Sequence, residues 1–132
     1  MESQFRTDLI TWLSDDPGLD ALINRIEEES PLEGQPPTLS IASSASADWS
    51  SKSGMGREVR VALELVDRGD QAATITRAIE LIELRIAALS PDQNGYRIVV
   101  TQFIRSRAER RPRSLRAVLL EYRFRLLKNT TE

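Results

Sequence analysis

The chain has 132 residues, 40% of them hydrophobic and 29% charged, the size and balance of one globular domain with its own core. It contains no cysteine and no histidine, which excludes disulfides, thiolate nucleophiles, thiolate or imidazole metal sites, and the usual general base near neutral pH. The net charge of −2 conceals a split: residues 1–50 carry two arginines against ten acids, −8, and residues 51–132 carry sixteen bases against ten acids, +6. Either the two signs intermix on folding, or the molecule presents an acidic and a basic surface that suit copies docking to each other. No apolar run reaches the length that spans a bilayer, so no membrane partner is expected, and Met1–Gln4 lacks the start of a signal peptide.

In chain order, Phe5, Leu9, Trp12 and Leu13 make one helical stripe, with Ser3 as the expected cap. Asp16-Pro17 restarts the chain as N-cap and first helical residue, and Leu19, Leu22 and Ile23 continue the apolar face. A short strand over Arg25–Glu28 is followed by an exposed loop to Pro37. Thr38–Ala42 is extended, with Leu39 and Ile41 on one face. Residues 43–57 follow, mostly Ser, Ala and Gly around Trp49. Such composition favours neither core packing nor helix, and predicts a protruding arm, mobile until it orders against a partner. Glu58–Val66 alternates Val59, Val61, Leu63 and Leu65 with polar residues, as a half-buried strand does. Gly69-Asp70 caps a helix reaching about Leu89, whose seam is Ile75, Ile79, Ile82, Ile86 and Leu89. After the Ser90–Gly95 turn come strands over Tyr96–Ile104 and Leu115–Leu127. The expected fold class is α+β: a mixed, mostly antiparallel sheet of four to five strands, with an N-terminal helix and one long helix packed on it, plus the arm at 43–57, all in a single domain over 1–132.

Candidate chemistry is sparse. The carboxylate groups at Asp15-Asp16 and Glu27–Glu29 sit beside turn residues without apolar surroundings to raise a pKa, and their spacing resembles no calcium loop. Gly54-Met55-Gly56 lacks the third glycine and following helix of a phosphate cradle. No enzyme activity, cofactor or metal is expected. Two features remain. Arg105, Arg107, Arg110, Arg111, Arg113 and Arg116 place six arginines within twelve residues, around a hairpin tip marked by Pro112. Such a tip suits phosphates or an acidic protein surface. No aromatic interleaves the arginines to stack bases, and the pI near 5.3 is low for a nucleic-acid-binding domain. The second feature is Asp48, Trp49, Lys52 and Arg57, a large aromatic among small polar neighbours, which is the composition of an interface anchor.

The run Asp48-Trp49-Ser50-Ser51-Lys52-Ser53-Gly54-Met55-Gly56-Arg57-Glu58, leading into Val59–Leu65, resembles the motif of small tail-completion proteins of long-tailed phages and gene transfer agents. The likeness extends over the leading helix, Asp16-Pro17-Gly18-Leu19, the Ala72–Leu89 helix, Gly95-Tyr96-Arg97-Ile98-Val99-Val100 and the terminal arginine-rich strands. It departs at 27–37, where the family has a shorter turn. The resemblance implies a structural virion component, a tail terminator. That is a ring, normally hexameric, which caps the tail tube, meets the head-tail connector or stopper protein, and passes DNA through its lumen without specific binding. It also implies location at the neck or tail top of a virion or gene transfer agent particle, assembled in the bacterial cytoplasm. The rival readings are a nucleic-acid-binding accessory protein acting through 105–116, and another neck or minor tail protein.

Overall fold

The computed structural model describes residues 1–29, 34–69 and 72–130. Helix α1 (Glu2–Ser14) buries Phe5, Leu9, Ile10 and Leu13, the stripe read from the sequence with Ile10 added. Its cap differs: the helix starts two residues earlier, Met1 is the N-cap, and Ser3 lies inside the first turn, where its hydroxyl accepts from Arg6 at 3.2 Å. Asp16 does cap α2 (Pro17–Leu22), its Oδ2 accepting from the Leu19 amide at 3.0 Å with Pro17 at the first helical position.

Among the described residues five strands form one sheet, in the order β1-β2-β3-β5-β4. Strand β1 (Arg25–Glu29) runs parallel to β2 (Thr38–Asp48), and every other neighbouring pair is antiparallel: β2 with β3 (Gly56–Asp67), β3 with β5 (Leu115–Lys128), β5 with β4 (Tyr96–Arg111). Leu39, Leu65 and Val118 share one cross-strand row, and Val61 with Tyr122 and Val59 with Phe124 share others on the same face. These side chains form a single core cluster with Phe5, Leu9 and Leu13 of α1, Leu19 of α2, and Ile75, Ala78, Ile82 and Ile86 of α3 (Ala72–Ala87). Phe5 lies 4.6 Å from Phe124 and 6.4 Å from Tyr96, which fastens α1 to the sheet. Asp70, expected to cap α3, lies outside the described residues, as does part of the 29–37 loop.

The rows between carry Glu58, Arg60, Glu64, Glu121, Arg123 and Arg125, and among the described residues the buried helix side chains all belong to the cluster on the first face. The second face is laced by ion pairs instead. Glu58 meets both Arg123 and Arg125, and Arg111 meets both Glu64 and Glu109.

Two expectations need correction. Residues 43–48 are not part of an arm: they continue β2, pairing from Ser43↔Ala62 to Asp48↔Arg57 on β3, which is itself paired with β5 along that length. A hydrogen-bond ladder needs only backbone, so Ser and Ala serve where a core would reject them. Only 49–55 is a turn, and its side chains stay outside the core. Strand β4 is also longer than expected, running to Arg111 through the arginine cluster, because pairing with β5 carries it past its apolar part.

Candidate functional site

The two sequence candidates lie at opposite ends of β5. The 49–55 turn, closed by the Asp48↔Arg57 pair, lies beside Leu126 and Leu127, while the arginine tip precedes Leu115. The roughly ten residues between them amount to about 33 Å of strand, so the structure does not join them into one site.

At the first end, the Trp49 amide donates to the Gly56 carbonyl at 2.9 Å, and the Lys128 amide to the Met55 carbonyl at 2.9 Å, tying the turn to β5. A Cβ on Gly56 would lie 2.6 Å from the Trp49 carbonyl oxygen, so this close approach requires glycine. Trp49 is half-buried, with the Arg125 guanidinium 5.2 Å from its ring centre, and Arg125 is held in turn by Glu58 at 3.2 Å. Trp49 therefore rests on its own sheet without joining the core. Asp48 accepts from the Ser50 hydroxyl at 2.6 Å and from the Ser50 amide, which holds its carboxyl below the usual range. Arg57 lies 3.9 Å from Glu2, and Lys52 is exposed in the turn. The result is a preformed, polar projection with one aromatic face.

At the other end, the tip is Pro112-Arg113-Ser114, with Arg113 and Ser114 in the left-handed region at φ 65° and 61°. The six arginines divide into two sets. Arg105 bonds Glu121, Arg111 bridges Glu64 at 2.9 Å and Glu109, and Arg116 meets Asp67 at 3.2 Å. Arg105 draws the Glu121 carboxyl below its ordinary value, chiefly through their hydrogen bond. Among the described residues, Arg107, Arg110 and Arg113 make no ion pair and are exposed. Half of the cluster is thus paired with acids of the sheet, Arg105 while still exposed, and half is unpaired.

Sequence reasoning missed the sheet edges. Strand β4 closes one side of the sheet and exposes Val99 at 43%, Phe103 at 45% and Ile104 at 40%. Strand β1 closes the other side with Glu27, Glu28 and Glu29, which the sequence sets beside turn residues without apolar surroundings. The available signal was Arg25–Glu28 read as strand; strand order is what makes those acids an edge. Among the described residues, no group of three or more Asp or Glu side chains is placed to hold a metal ion.

An open sheet with oppositely charged edges, a preformed projection at one end and a basic tip at the other belongs to a protein that works through its surfaces, by assembly. The chain belongs to the family described as Tail completion protein gp17, whose model matches residues 7–127, and as a member it is a structural component of the virion tail. Among solved structures it is similar to a chain of "Virion of native gene transfer agent (GTA) particle", with a TM-score of 0.76 and 21% identity, over 90% of this chain and 91% of that one. That agreement is one of fold. No curated protein matches the chain.

Proposed function

We propose that the protein is a tail terminator: copies form a ring, normally of six, that ends the tail tube and joins it to the connector or stopper protein below the capsid. The observation that carries this reading is the separation of charge onto opposite sheet edges, Glu27–Glu29 on β1 and Arg107 and Arg110 on β4. A closed ring needs a heterologous contact, one patch of each subunit meeting a different patch of the next, and opposite charges on opposite edges meet that requirement. The family and the gene transfer agent likeness support the same assignment. The Trp49 projection, with Asp48, Lys52 and Arg57, is the contact offered to a neighbouring subunit or tail protein. DNA passes the ring without specific binding, a reading supported by the internal neutralisation of Arg105, Arg111 and Arg116. The role is structural and not enzymatic.

Native mass spectrometry and particle averaging, on the protein alone and with tail tubes, test the reading. Rings on tube ends are expected. A protein that stays monomeric in both settings refutes it.

A further inference from the structure

Resting on the ring reading above, we infer that neighbouring copies join edge to edge, β4 of one lying antiparallel along β1 of the next, so that their sheets become continuous. Three observations lead there. The first is that β4 has a long edge with no described strand paired to it. The 90–95 turn covers its start, where the Ile98 amide donates to the Pro91 carbonyl at 2.8 Å and the Gln93 amide to the Tyr96 carbonyl at 3.0 Å. From Val99 to Arg111 no other described strand pairs with its outer side. Proteins that remain single copies blunt such an edge with bulges and charge; here the irregularities fall at Ile98/Val100 and Phe103/Arg105, the stretch from Arg105 to Arg111 pairs regularly, and Val99, Phe103 and Ile104 remain exposed.

Direction is the second. Strand β4 opposes β5, β5 opposes β3, β3 opposes β2, and β2 runs with β1. Repeating the subunit in the same orientation therefore sets β4 antiparallel to the next β1, the pairing that gives straight hydrogen bonds.

Register is the third and most specific. Following the cross-strand rows through the sheet, Arg107 shares a row with Leu119, Glu64, Ser40 and Glu27. Glu109 shares a row with Ala117, Val66, Thr38 and Arg25. Continued without stagger, the sheet places Arg107 opposite the next copy's Glu27 and Glu109 opposite its Arg25. Both pairs are of opposite sign, and both lie on the face without helices. Between them Ala108 meets Ile26, small against large. Directly opposed charged pairs stabilise a sheet, whereas like charges in those places destabilise it. A shift of one residue would turn the side chains to the wrong face, and a shift of two would set Arg107 opposite Arg25 or Glu109 opposite Glu27, like against like, so face and charge together select this register.

The test is a charge swap with a cross-link. Glu27→Arg alone and Arg107→Glu alone should each weaken ring formation about fivefold per contact, and a chain carrying both should assemble as the wild type does. Both positions are exposed, so melting temperatures should stay near wild type. Because the chain has no cysteine, a chain with Glu27→Cys and Arg107→Cys gives a clean second measurement. Oxidised inside assembled rings, it should run as a ladder of covalent multimers on a non-reducing gel, and each single-cysteine chain should stay uncrosslinked. Wild-type rings combined with harmless reversals and no ladder would overturn this interface and leave the ring standing. Absence of rings from wild-type tails would overturn both.

Discussion

Replacing Trp49 with Ala separates an assembly residue from a core residue by magnitude. Trp49 is half-buried and outside the core cluster, and its described ring contact is the Arg125 guanidinium at 5.2 Å. An exposed cation–π contact is worth about 0.5–1 kcal/mol, and the ring surface shielded at the edge of the sheet adds a similar amount, so the loss should be about 1–2 kcal/mol. With an unfolding entropy of about 2.1 cal/mol/K per residue, a chain of this length loses about 4–7 °C in Tm. A core aromatic costs about 3–5 kcal/mol on truncation, which is about 11–18 °C. The internal comparison is Trp12. Its indole N–H donates to the Arg85 carbonyl at 2.7 Å, while the Arg85 guanidinium sits 3.4 Å from its ring and donates back to the Trp12 carbonyl at 2.8 Å. That clasp ties α1 to α3, so Trp12→Ala should show the larger loss. Calorimetry of both variants, paired with averaged micrographs of tube ends, reads the two effects separately. Trp49→Ala should keep its fold and lose capping of the tubes. A drop above 10 °C, or full capping at wild-type concentrations, refutes the assignment.

Other outcomes follow from the same contacts. Reversing Arg107, Arg110 and Arg113 together should leave stability nearly unchanged and reduce joining of tails, with free DNA bound weakly at physiological salt. Anisotropy over a salt series checks this: submicromolar DNA binding with a steep salt slope and undamaged joining would promote the nucleic-acid reading. Reversing Arg111 instead should destabilise the fold, because Glu64 and Glu109 lose their shared partner; a chemical denaturation midpoint measures it. Gly56→Ala should open the Trp49 hairpin, since the new Cβ meets the Trp49 carbonyl at 2.6 Å, and loss of amide protection at Trp49 and Lys128 in hydrogen exchange would register it. Glu121 is held below its ordinary value of 4.5 by Arg105, so the folded state binds fewer protons there than the unfolded state. The stability from this group is present above about pH 4.5 and is lost as pH falls through the lowered folded value. Melts across pH 3 to 6 should therefore be flatter for Glu121→Gln than for the wild type.

The sequence alone determined most of the local structure. The spacing of Phe5, Leu9 and Leu13, the Asp16-Pro17 restart, and the alternation through Val59–Leu65 and Val118–Leu126 each state a period, and a period names both the element and its buried face. The turn around Pro112 and the absence of cysteine and histidine were equally plain. Residues 43–48 were not legible as strand, because Ser and Ala carry no hydrophobic period, and what holds them is a backbone ladder supplied by β3. Nor could the arginines be sorted. Arg105, Arg111 and Arg116 are neutralised by Glu121, Glu64 and Asp67, partners sixteen to forty-nine residues away, whereas Arg107, Arg110 and Arg113 make no ion pair among the described residues. Composition counts charges, and pairing depends on which strands become neighbours. The edges were decided the same way. Nothing local to Glu27 or Val99 says that its strand will be last in the sheet. Only the order β1-β2-β3-β5-β4, fixed by long-range pairing, leaves an acidic strand on one side and a basic one on the other.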